Sequence, residues 1–183
     1  MAEMMETIKD YVSSATIDRK LLLNKLSEFL AVEKGGVKLY QVAIQHVRDE
    51  QVLDKYKEFY GQTRNHVVIL EKMIHELGGD PAYQSASAKI AEKKADSLLL
   101  TMSQSDGVSP QDAELNAIEN ILLAETKDHA DWELLGKLAR RSDDSRVSDI
   151  LQSGVTEVEP QEGEHESFSK EHLARLSMAA LSK

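Results

Sequence analysis

The chain has 183 residues, of which 41% are hydrophobic and 30% charged, and a net charge of −10. That is enough chain for a sizeable core, in the composition of a globular helical protein. The charge argues against a nucleic-acid partner, the absence of cysteine excludes disulfides and thiolate ligands, and no apolar run approaches the ~20 residues of a membrane span.

The elements follow in chain order. Residues 1–13 hold Met4, Met5, Ile8, Tyr11 and Val12, a short amphipathic turn or two. The acidic start lacks the apolar stretch of a signal peptide, so a cytoplasmic location is expected. A first long helix is predicted over 16–47, with Leu22, Leu26, Phe29, Glu33, Gly36, Tyr40, Ala43 and Val47 on one face. Asp49 is placed to cap a second helix, whose face runs Val52, Tyr56, Phe59, Thr63, His66, Leu70, Met73, Leu77. Gly78-Gly79-Asp80-Pro81 stops it. A crossover helix is predicted over 84–102. Ser109-Pro110, with Asp112 behind, opens the third long helix, with Leu115, Ile118, Leu122, Glu125, His129, Trp132, Gly136 and Ala139 on its face. The fourth carries Leu151, Val155, Val158, Glu162, His165, Ser169, His172 and Leu176 to about residue 181. Pro160 should kink that helix or make it restart. No strand pattern, linker or internal repeat is apparent, so 1–183 reads as one domain with a short N-terminal segment, 1–15.

Each of these faces is apolar except near its middle. Glu33 lies 15 residues before a turn at residue 48, and Thr63 and His66 lie 15 and 18 after it. At 1.5 Å per residue they share a level roughly 22–27 Å from that turn. Glu125, Glu162 and His165 likewise sit roughly 27–33 Å from a turn at residue 143. The segment 79–109 is long enough to cross the bundle, which makes the second and third long helices parallel. A buried carboxylate costs several kcal/mol unless it is paired or holds a cation. Carboxylates and histidines at one height therefore point to a metal.

In these residues the chain resembles the ferritin-like superfamily, all-α four-helix bundles with a long crossover. Members carry one Glu on each of two helices and Glu-x-x-His on each of the other two. The single glutamates match Glu33 and Glu125, and the pair on the last helix matches Glu162 and His165. On the second helix His66 matches, but Thr63 stands at the glutamate position. The resemblance implies Glu33, His66, Glu125, Glu162 and His165 as ligands of iron or manganese, mononuclear or dinuclear, with oxidoreductase activity toward O2 or peroxide. It also admits a non-catalytic bundle acting in stress response or assembly, which Thr63 favours. A homo-oligomer is open on either reading. Two divalent ions balance four glutamates; with Thr63 one charge is missing. His129 and His172 read as core histidines or hydrogen-bond donors behind the ligands, and Trp132, Tyr40, Tyr56 and Phe59 as core.

Overall fold

A computed structural model describes residues 15–104 and 107–182. The expected amphipathic segment over 1–13 lies outside them. Five helices follow in order: α1 (Arg19–His46), α2 (Glu50–Glu76), α3 (Ala86–Ser103), α4 (Pro110–Arg141) and α5 (Ser145–Leu181). Among the described residues there is no strand, only an isolated bridge between Ala15 and Ser142.

The helix ends are set by side chains that satisfy the free N–H groups of a first turn. Asp18 accepts from Leu21 N, so α1 begins three residues later than expected; the Thr16 hydroxyl instead donates to Asp143. Asp49 accepts from Val52 N, Ser85 from Ala88 N, Ser109 from Asp112 N, and Asp144 from Arg146 N and Val147 N. Gly78, at φ +78°, closes α2 in the left-handed region that favours glycine. Buried Glu114 of α4 accepts from Arg48 N and Asp49 N and ties down the tight α1–α2 connection.

Two apolar clusters fill the bundle. One joins Leu22, Leu26 and Phe29 of α1 to Leu70 and Met73 of α2, Trp132 and Leu135 of α4, and Leu151 and Val155 of α5. The other joins the opposite ends: Leu39 and Ala43, Val52 and Tyr56, Ile118 and Ile121, Phe168 and Leu176. The first half of α1 thus packs with the second half of α2, the second half of α4 and the first half of α5. This is the expected topology, with α1 parallel to α5 and α2 parallel to α4. The crossover α3 lies on α1 through Ala88, Ala91 and Ala95. A Cβ at Gly35 would sit 2.6 Å from Ala95 Cβ, so this contact requires glycine.

One expectation is narrowed and one corrected. Helix α5 runs unbroken through Pro160 and does not restart. Proline deprives the Thr156 carbonyl of its partner, but Thr156 and Pro160 both face solvent, where water replaces the lost donor. The buried face of α4 is also rotated from the one predicted. Leu115, Leu122 and His129 are only partly buried, and the core line runs Ile118, Ile121, Glu125, Asp128, Trp132, Leu135, Ala139.

Candidate metal centre

Between the apolar clusters lies a polar layer. The structure brings all five sequence-predicted residues into it. Glu33, His66, Glu162 and His165 are 0% exposed and Glu125 is 2% exposed. They fall into two groups, Glu33–His66–Glu162 and Glu125–Glu162–His165, each with one ligand atom per residue within 4.8 Å of the others. Glu162 belongs to both.

The histidines are oriented by glutamines that sequence reasoning missed. His66 Nε2 donates to Gln161 Oε1 at 2.8 Å, and His165 Nε2 donates to Gln62 Oε1 at 2.7 Å. An amide oxygen only accepts, so each Nε2 carries a proton, and each ring turns its Nδ1 inward toward the carboxylates. His66 Nδ1 lies 2.8 Å from Glu162 Oε1 and 3.5 Å from Glu33 Oε1, yet makes no hydrogen bond. His165 Nδ1 lies 3.2 Å from Glu125 Oε2 and 3.5 Å from Glu162 Oε1. The signal was present in the chain: each glutamine stands four residues before the histidine on its own helix and serves the histidine of the other.

The glutamates are held as well. Trp132 Nε1 donates to Glu33 Oε1 at 2.8 Å, so this residue does more than fill the core. Glu33 Oε2 and both Glu162 oxygens are buried without a hydrogen-bond partner. Tyr40, seven residues beyond Glu33, brings its unpartnered hydroxyl near Glu125, and burial with that carboxylate raises its pKa well above the usual phenol value. The two ends are thus related: the aromatic residue seven positions beyond each glutamate lies beside the other glutamate.

Thr63 is buried at the same level, but its hydroxyl donates to Phe59 O at 2.9 Å and offers the centre nothing. Its methyl fills the space above Gly36, where a Cβ would lie 3.2 Å away. Asp128, one turn beyond Glu125, is 3% exposed with Oδ1 unpartnered. The rotated α4 face hid it from the sequence reading. His129 and His172 belong to neither group. His129 pairs with Glu166 at 2.7 Å on the half-exposed side of α4, and His172 Nδ1 donates to Phe168 O.

The electrostatics of the layer reflect burial and the crowding of its carboxylates. Burial, then the charges of Asp128, Glu125 and Glu33, raises the Glu162 carboxyl well above its ordinary range. Burial, then Glu33 and Glu125, does the same to Asp128. For Glu125 burial is outweighed by His165, and its pKa falls. For His66 burial is outweighed by the neighbouring carboxylates, chiefly Glu33, and its pKa rises. Buried, unpartnered carboxylate oxygens and inward Nδ1 atoms fit a metal ion.

No protein-family model matches the chain, and no curated protein matches it. Among solved structures, the chain is similar to a dodecameric thioferritin, the bacterioferritin-related protein of Bacteroides fragilis. The match has 18% identity and a TM-score of 0.52, and it covers 90% of this chain and 91% of that one. The fold is ferritin-like.

Proposed function

On a ferritin-like bundle with this polar layer, we propose that the chain binds iron or manganese between its four long helices and has redox activity toward O2 or peroxide. Glu33, His66 and Glu162 would hold one ion, and Glu125, His165 and Glu162 a second, with Glu162 shared. The observation that carries this reading is the pair of donor groups joined through Glu162, whose two carboxylate oxygens are buried and unpartnered. Structural buried carboxylates are normally hydrogen-bonded.

When bound, such ions supply electron transfer to O2 or peroxide. The chain's own residues bind, orient and shield. Gln62 and Gln161 hold the imidazoles in the tautomer that ligates. Trp132 fixes one oxygen of Glu33, and the flanking apolar clusters exclude bulk water. A surface groove of about 740 Å³ is lined by Leu21, Lys25, Leu134 and Arg141 among others, and none of the five residues lines it.

Calorimetric titration of the full chain with Fe(II) under anaerobic conditions, followed by exposure to O2 or peroxide, tests the proposal. Saturable tight binding, a rise in melting temperature with Fe(II), and optical changes on oxidation are expected. Absence of binding would leave the second reading, a structural bundle without redox chemistry, which the withdrawn Thr63 hydroxyl favours.

A further inference from the structure

Residue 63 withholds a carboxylate from the layer, and a different helix places one there. Asp128 lies on the same α4 face as Glu125 and Trp132, between them in sequence and height. It is 3% exposed, and its Oδ1 has no hydrogen-bond partner. Carboxylates three residues apart on one helix face are neighbours, and two like charges so placed repel unless a cation lies between or beside them. Burial without a partner makes that arrangement costlier still. Asp128 has no role in the helix caps or in the histidine–glutamine pairs described above.

Its position selects an ion. Glu125 pairs with His165, at one end of the layer. Trp132, at the other end, donates to Glu33 and meets the His66 ring edge-on with centroids 6.3 Å apart. Stepping along α4 from Glu125 toward Trp132 therefore moves from the His165 group toward the Glu33–His66 group, and Asp128 is on that path. Asp128 is outside the two groups whose donor atoms lie within 4.8 Å of one another, and borders them from α4.

We propose that Asp128 is the fourth carboxylate of the centre and binds the ion held by Glu33, His66 and Glu162, replacing from α4 the donor that Thr63 withholds on α2. Four carboxylates then balance two divalent cations, with both imidazoles neutral. This rests on the metal-binding reading above, which it extends to a residue outside the family pattern.

Mn(II) titration of the full-length wild type, D128N and D128E by equilibrium dialysis tests it, with electron paramagnetic resonance of the bound Mn(II). The wild type should bind about two Mn(II) per chain, with the broadened signal of a coupled pair. D128N should bind about one, with the six-line signal of isolated Mn(II), and D128E should recover the second ion. Metal-free D128N should melt no lower than the wild type, because it loses a buried unpaired carboxylate. A D128N variant that binds Mn(II) like the wild type would overturn the inference and leave the metal-binding reading standing. Lower melting of metal-free D128N would make Asp128 a structural residue and overturn it too. A wild type that takes up no Mn(II) would overturn both.

Discussion

Helices α2 and α5 meet the polar layer with the same six-residue pattern and one difference that matters. On α2 it reads Gly61-Gln62-Thr63-Arg64-Asn65-His66, and on α5 Pro160-Gln161-Glu162-Gly163-Glu164-His165. In both, the first residue is exposed, the glutamine is half-buried, and the third and sixth positions are buried. Each glutamine holds the other helix's histidine, so the pattern is reciprocal. Only α5 supplies a carboxylate at the third position. The matching difference appears on the helices that face them: three residues beyond Glu33 comes Gly36, which leaves room for the Thr63 methyl, and three beyond Glu125 comes Asp128. The lesson is that a symmetric protein frame can hold an asymmetric set of charges, because only the total charge must match the cations.

The comparison is broken most severely at its unmatched residue. Glu162→Gln removes the one donor shared by both ions and leaves Glu33, His66 and Asp128 for one and only Glu125 and His165 for the other, so Mn(II) binding should fall below detection in calorimetry. Retention of a tight site would show that the groups do not depend on a common carboxylate. The next test moves the asymmetry. T63E combined with D128N transfers a carboxylate from α4 to α2 and should restore about two ions per chain, against about one for D128N alone. Dialysis showing a single ion in the double variant would mean that residue 63 cannot reach the centre beside Gly36.

Reciprocity itself predicts equality. Gln62→Leu and Gln161→Leu each unlock one histidine tautomer, and each should weaken metal affinity by about 10- to 100-fold. A large effect from one and none from the other, in matched titrations, would end the symmetric description.

The smallest effect is on pH dependence. The Glu162 carboxyl is raised above 4.5, and His66 above 6.5, in the folded chain. Both groups hold their protons longer folded than unfolded, so their contribution is present at low pH and fades as pH rises through the folded values. Glu125 is lowered and acts oppositely, losing its contribution as pH falls through its folded value. Metal competes for the protons on Glu162 and His66, so the rise in melting temperature caused by Mn(II) should grow from pH 4.5 to beyond 6.5. Calorimetry giving a pH-independent shift would place the bound ion elsewhere.

The sequence made some of this legible. The predicted faces of α1 and α2 are buried at every position, because long stretches of strong period leave no choice of side. On α4 the choice was real. Ile121 and Leu122 are interchangeable as core residues, and His129 is a more natural metal neighbour than Asp128. A helix of period 3.6 accommodates either line, and only packing against α1 and α5 selects between them. Of the kink or restart expected at Pro160, the restart does not occur for a related reason: the orphaned carbonyl meets water, which burial decides.

By itself, then, the sequence determined the number of long helices, the caps at Asp49 and Ser109, the crossover, and the shared height of Glu33, His66, Glu125, Glu162 and His165. These follow from local rules: the rise per residue, the hydrophobic period, and the side chains that satisfy a first turn. Only the tertiary structure decided that Gln161 holds His66 and Gln62 holds His165, across 95 and 103 residues of chain. It alone turned the Thr63 hydroxyl away and Asp128 inward. Such pairings depend on which helix faces are pressed together, and no short-range pattern along a single helix encodes that choice.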